Sequence, residues 1–185
     1  MLFRSGLLGE HNVANAMATA AAALAMGLGR DVVREGLRSF GGVPHRLEPV
    51  AEIDGVRFVN DSKATNVASA IVGLRAFDGG VHAILGGSEK GEAYDALLEP
   101  VRERCVSCHL AGASAERLAE ALAPAIAGGV ALHRHDNFEQ AVRAAAAAAR
   151  PGEVVLLSPA CASFDAFENF ERRGERFREI VEDLR

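Results

Sequence analysis

Residues Val56–Phe77 read VRFVNDSKATNVASAIVGLRAF. The opening VRFV is β-branched and aromatic, a strand pattern. From Asn66 onward the apolar residues return at helical spacing. Between them sits NDSKAT, a dense polar cluster. Strand, polar loop and helix make half of a βαβ unit, and the pattern repeats down the chain. VHAILGG (81–87) leads to EAYDALLEPVRER (92–104), and CVSCHLAG (105–112) to SAERLAEALAPAI (114–126), with Ser114 as cap. GVALH (129–133) leads to NFEQAVRAAAAAAR (137–150), and EVVLLS (153–158) precedes a closing amphipathic helix, GERFREIVEDLR (174–185). The alternation predicts an α/β fold with a doubly wound, mostly parallel sheet flanked by helices. RLEPVAEI (46–53) joins VRFVN (56–60) through Asp54-Gly55, a hairpin signal that places an antiparallel strand at one edge.

Two helices precede this alternation. HNVANAMATAAAALAMGLGR (11–30) is apolar on nearly every side and is expected to be buried, with Gly27 and Gly29 as stops. DVVREGLRSF (31–40) is amphipathic, with Asp31 as its N-cap. Gly41, Gly42 and Pro44 then punctuate the chain as a hinge or linker does, which divides it into 1–40 and 41–185.

Composition narrows the function. At 49% hydrophobic, 185 residues can bury a core. A net charge of -5, no Trp and one Tyr leave neither a basic field nor stacking platforms, so no nucleic acid is expected. No apolar run reaches the ~18 residues of a membrane span. The opening residues lack a signal-peptide pattern, so a cytoplasmic location is expected and no membrane partner. Three cysteines, an odd number, do not suit a secreted disulfide framework.

In open α/β sheets ligands bind beyond the carboxyl ends of the strands. Three polar stretches fall there: NDSKATN (60–66), GGSEKG (86–91) and SPACAS (158–163). Each suits an anion. Gly86 and Gly87 let backbone approach closely and Lys90 supplies a charge. Thr65 and Ser163 are placed where a helix begins, with its free N–H groups. Taken singly, these could be ordinary caps, turns and a solvated lysine; three at one edge favour a site. CVSCH (105–109) matches the C-x-x-C-H haem pattern, but in a strand Cys105 and Cys108 point to opposite faces, and core cysteines are the expected reading. HRHD (133–136) reads as a solvated loop, Phe164, Phe167 and Phe170 as a core stripe, and ERRGERFRE (171–179) as a solvated face. No G-x-x-x-x-G-K-[ST] loop occurs, so a nucleotide's phosphate loop would come from elsewhere.

GEHNVANAMATAAAAL, GVPHRLE, FVNDSKATN, LGG..KG and LLSPACASFDAFENFERRGERF, in that order, resemble the bacterial Mur ligases. NDSKATN points to the branch that joins D-glutamate to UDP-N-acetylmuramoyl-L-alanine. The resemblance implies the end of a central ATP-binding domain (1–40) followed by a Rossmann-like amino-acid-binding domain (41–185). It implies ATP and Mg2+ as cofactors, with most metal ligands outside this sequence, a monomer, and no ligase activity from this chain alone. Asn12 and Asn15 would lie beside adenine, Arg46 and Asp61 at the ribose and phosphates, and Lys63 near the reacting end. Thr65 and Lys90 would hold the α-carboxylate of D-glutamate, and Ser163 its side-chain carboxylate, helped by the backbone at Phe164 and Phe170. Glu89 departs from the aspartate or glycine expected before the lysine. Two alternatives stand beside this reading: a related amide-forming ligase for another amino acid, and a non-catalytic module that binds an acidic amino acid.

Overall fold

A computed structural model describes residues Leu8–Arg185. The chain divides into two compact units, Met1–Val43 and Pro44–Arg185. In the first, α1 (Glu10–Ala25) packs on α2 (Arg30–Ser39). α1 is not buried as expected: Val13, Met17 and Leu24 are exposed. Its apolar residues surround the helix, and a single neighbour such as α2 covers only one side. Asp31 is not the cap of α2 either. Gly29 takes that position, and Asp31 sits in the first turn, paired with Arg34 at 2.5 Å.

The second unit is built on a six-stranded sheet. Its strands are β1 (Glu48–Ile53), β2 (Val56–Asn60), β3 (Val81–Leu85), β4 (Cys105–Leu110), β5 (Ala131–Arg134) and β6 (Val154–Leu157), in the order β1-β2-β6-β3-β4-β5. β1 is the antiparallel edge, and every other pair is parallel. Asp54 (φ 50°) and Gly55 (φ 78°) both take the left-handed backbone that a tight hairpin requires. β6 lies between β2 and β3 and is buried throughout, which is why VVLL is continuously apolar rather than alternating.

The helices of this unit are α3 (Val67–Leu74), α4 (Leu98–Arg104), α5 (Ala115–Leu122), α6 (Phe138–Ala148) and α7 (Phe170–Glu182). α6 and α7 bury Ala141, Val142, Phe177 and Ile180 against Phe58, Ile84, Val155 and Leu157. α3, α4 and α5 pack in succession on one another. Asn66, Asn137 and Asn169 cap α3, α6 and α7, each side chain accepting a backbone N–H three residues on. The cap at Asn169 starts α7 four residues before the GERFRE pattern. Pro124 stops α5, and the chain continues as a 3-10 turn over Ala123–Gly128.

β4 contains a bulge that overturns one expectation. Val81 pairs with Cys105 and His82 with Ser107, so Val106 is an extra residue. The insertion breaks the alternation and turns Cys105 and Cys108 toward the same face. The neighbouring Cys105, with burial, pushes the Cys108 thiol pKa up. HRHD is not a free loop: His133 belongs to β5, and the His133 and His135 rings stack on His109 at centroid distances of 5.1 and 5.2 Å. A polar chain runs across the strands beneath. Glu153 Oε2 meets His82 Nε2 (2.9 Å), His82 Nδ1 meets Ser107 Oγ (2.8 Å), Ser107 Oγ meets His109 Nε2 (2.9 Å), and His109 Nδ1 meets His135 Nε2 (3.1 Å). Burial and the neighbouring imidazoles lower the His109 pKa to about 3, so this ring stays neutral.

Candidate functional site

Because β2, β6 and β3 are neighbours, their carboxyl ends bring NDSKATN, SPACAS and GGSEKG to one edge. Backbone bonds tie the stretches together. Asp61 N donates to Leu157 O (2.8 Å), Gly86 N to Pro159 O (2.8 Å) and Ser88 N to Ala162 O (2.8 Å). Two positions require glycine: a Cβ on Gly86 would lie 1.9 Å from Ala111 O, and one on Gly87 2.2 Å from Ala162 O. A cavity of ≈ 340 Å³ opens beside this edge, where Gly86, Gly87, Gly112, Asn137, Asp165 and Arg173 meet.

Asp61 is buried, and both its oxygens are engaged. Oδ1 accepts from Leu47 N (3.1 Å) and Oδ2 from Ser158 Oγ (2.8 Å). Burial raises its pKa to about 6, against the pull of those bonds and of Arg46. Asp61 thereby holds the turn that carries Arg46, which is exposed. That turn is strained, with His45 (φ 62°) and Leu47 (φ 44°) both left-handed. His45 is pinned on three sides: its N donates to Glu48 Oε2 (2.8 Å), its O accepts from Lys63 N (2.9 Å), and its Nδ1 meets Asn60 Nδ2 (3.1 Å). Phe170 gathers the same region. Lys63 Nζ lies 4.6 Å from its ring centroid, and His45 packs edge-on at 6.0 Å.

Thr65 is half-buried, Lys90 exposed and Ser163 buried. Among the described residues no hydrogen bond or ion pair engages the Lys90 side chain, and none engages the Ser163 hydroxyl. Neither Thr65 nor Ser163 starts a helix. α3 begins at Val67 behind its Asn66 cap, and Ser163 opens a turn in which Phe167 N donates to Ser163 O (2.8 Å). The Phe164–Phe167–Phe170 spacing is not a core stripe. Those residues straddle the turn, which leaves Phe164 71% exposed and Phe167 and Phe170 half-buried. Ser114 holds the cap position of α5 without capping it; its Oγ accepts from Gly87 N (3.1 Å) and meets Cys161 Sγ (3.2 Å). Asn12 and Asn15 lie on α1 in the first unit, where Asn12 Nδ2 donates to Leu8 O (2.7 Å) and Asn15 is exposed.

The residue that sequence reasoning missed is Arg173, assigned there to a solvated face. It is 2% exposed. Its Nε donates to Ser62 Oγ (3.0 Å), its Nη1 to Ala162 O (3.3 Å), and its Nη2 to Ser62 O (2.9 Å) and Cys161 O (3.0 Å). One guanidinium thus fastens NDSKATN to SPACAS, and burial brings its pKa down to about 10. A signal was present. Arg173 shares its helix face with buried Phe177, Ile180 and Val181, at i+4, i+7 and i+8.

Residues 45–161 match the family model for the Mur ligase glutamate ligase domain. The chain belongs to the Mur ligase family. Among curated Mur ligases, it is 47% identical over 176 residues to the UDP-N-acetylmuramoylalanine--D-glutamate ligase of Solibacter usitatus, covering 95% of this chain and 39% of that protein. It is 46% identical over 180 residues to the ligase of the same name from Salinibacter ruber, covering 96% and 38%. The chain therefore spans under two fifths of the length of these relatives. The fold recurs in the UDP-N-acetylmuramate-alanine ligase of Thermotoga maritima, with TM-score 0.72 at 15% identity, over 98% of this chain and 40% of that one. It recurs in Mycobacterium tuberculosis folylpolyglutamate synthase, solved with ADP, with TM-score 0.69 at 19% identity, over 94% and 41%.

Proposed function

We propose that this chain supplies the D-glutamate-binding part of an ATP-dependent ligase that extends UDP-N-acetylmuramoyl-L-alanine in peptidoglycan precursor synthesis. In that reaction ATP phosphorylates the L-alanine carboxylate, the amine of D-glutamate attacks the acyl phosphate, and inorganic phosphate leaves. Relatives bearing that activity in their names support the reading. The observation that carries it is the convergence of NDSKATN, GGSEKG and SPACAS on adjacent strands, with Lys90 and the Ser163 hydroxyl unengaged.

Lys90 and Thr65 would take the α-carboxylate of D-glutamate, and Ser163 with the backbone at Phe164 and Phe170 the side-chain carboxylate. A full charge at Lys90 and a neutral donor at Ser163 suit a dianion. Arg46 would reach the nucleotide. Asp61 would share the contact to the ribose and phosphates while holding the turn that carries Arg46. Lys63 would stand near the reacting groups. The protein would work in the cytoplasm as a monomer; no helix among the described residues is long and apolar enough to cross a membrane. Among the described residues no group of three or more His, Cys, Asp or Glu could hold a metal ion; the resemblance places most Mg2+ ligands outside this sequence, and the ion would offset phosphate charge there.

The test is an NMR titration of the 15N-labelled chain with D-glutamate, using L-glutamate and D-aspartate as controls. Shifts at Thr65, Lys90, Ser163 and Phe170 that favour D-glutamate are expected. Equal responses to all three, or none at these residues, would count against the reading.

A further inference from the structure

A carboxylate beside a carboxylate-binding lysine is a liability, because it can neutralise the cation and occupy its place. Glu89 stands next to Lys90. The structure directs it elsewhere: the Glu89 carboxylate forms an ion pair with Nη1 of Arg117, the third residue of α5. The same guanidinium donates from Nη2 to Glu92 O (3.1 Å) and lies 5.5 Å from the Tyr94 ring centroid. Tyr94 is itself buried, its hydroxyl 3.3 Å from Cys161 Sγ in the SPACAS stretch. The side chain of Glu92 reaches the other way and accepts from Val67 N (3.2 Å), the first residue of α3 and two beyond Thr65. Glu89 before Lys90 and Glu92 two residues after it are therefore held, while the Lys90 side chain is bound to nothing among the described residues.

We propose that Arg117 is a positioning residue for anion binding at Lys90. It withdraws the Glu89 carboxylate from Lys90 and, through Glu92, ties the lysine's loop to the start of the helix behind Thr65. This deepens the D-glutamate reading and rests on it. The chemistry suits arginine, whose rigid fork engages a side-chain carboxylate and a backbone carbonyl together and lays its plane on an aromatic ring, which an ammonium does not do. An exposed ion pair alone contributes little. Here two hydrogen-bonded partners and the Tyr94 ring fix the guanidinium, and its effect on the ligand comes from where it keeps a competing charge.

The experiment compares the 15N-labelled wild-type chain with Arg117→Ala, Arg117→Lys and the double variant Arg117→Ala/Glu89→Gln, first without ligand and then titrated with D-glutamate. Without ligand, Arg117→Ala should shift the Lys90 and Val67 amides. With ligand, its dissociation constant should rise about fivefold, the upper end for an exposed pair. The double variant should return to within about twofold of wild type, because an uncharged side-chain amide in place of the Glu89 carboxylate cannot compete for Lys90. Arg117→Lys, which keeps the charge and loses the fork, should fall between. A double variant as weak as Arg117→Ala would overturn the proposal, since loop loosening alone predicts no rescue. Unmoved amides in ligand-free Arg117→Ala would overturn the brace, whatever D-glutamate does. A wild-type chain that ignores D-glutamate while those amides move would instead strike the D-glutamate assignment and leave the brace standing.

Discussion

Substituting His109 should change how the protein responds to acid. His109 sits at the centre of the imidazole layer, 2% exposed, between Ser107 Oγ and His135 Nε2. Its pKa falls from the ordinary 6.5 to about 3 in the folded chain, chiefly through burial. A base with a depressed folded pKa gives its full stability above the unfolded value and loses it as pH falls from 6.5 toward 3. Near about pH 4.5 the unfolded imidazole is protonated and the folded one is not, which costs about 2.5 kcal/mol relative to about pH 7. Asp61 works in the opposite sense. Its folded pKa of about 6 lies above the ordinary 3.8, so the folded state binds the proton first. Acidification over the same interval returns about 2 kcal/mol through Asp61, which masks His109 in wild type. A variant separates the two. Urea unfolding of wild type and His109→Gln, each near about pH 7 and about pH 4.5, gives a double difference in which Asp61 cancels. His109→Gln should lose about 2.5 kcal/mol less than wild type on acidification, whatever its stability at neutral pH. Equal losses in the two proteins would refute the assignment of a buried neutral imidazole at this position.

Arg173→Lys should destabilise the second unit by about 2–4 kcal/mol in urea unfolding, because an ammonium cannot reproduce the fork's four bonds to Ser62, Ala162 and Cys161 together. A loss below about 1 kcal/mol would show that the fork is dispensable. In D-glutamate titrations Lys90→Ala should weaken binding about tenfold and Ser163→Ala less, since a lost charge-assisted bond outweighs one neutral donor. The reverse order would remove Lys90 from the site. Deleting residues 1–43 should leave the thermal transition of the remainder intact, because every strand among the described residues lies after Pro44. Disappearance of that transition would show that the units are interdependent.

The fold was legible where physics is local. VRFVNDSKATNVASAIVGL declares strand, loop and helix by periodicity, and Asp54-Gly55 declares the hairpin because few residue pairs adopt its backbone. The insertion of β6 between β2 and β3 was not legible, since no pattern within a strand names its neighbour. The histidine layer was hidden for the same reason. His82, His109 and His135 are unremarkable one at a time and meet only because β3, β4 and β5 lie side by side. The bulge at Val106 and the turn from Ser163 to Asn169 each broke a periodic reading, reversing the cysteine faces in one case and exposing Phe164 in the other. Charge misled at Arg173: a run of mixed charges suggests water, but one member of the run falls on the core stripe of α7. The polar stretches that frame the candidate site were legible because dense polar residues between apolar segments need a reason. Their connections through Arg173, Ser114 and Arg117 come from distant parts of the chain and appear only in three dimensions.

The most direct test of D-glutamate recognition at this edge is a crystal structure of the chain grown with D-glutamate. The α-carboxylate should lie against Lys90 and Thr65 and the side-chain carboxylate at Ser163. Density for the amino acid elsewhere, or a ligand whose carboxylates touch neither Lys90 nor Ser163, would contradict it.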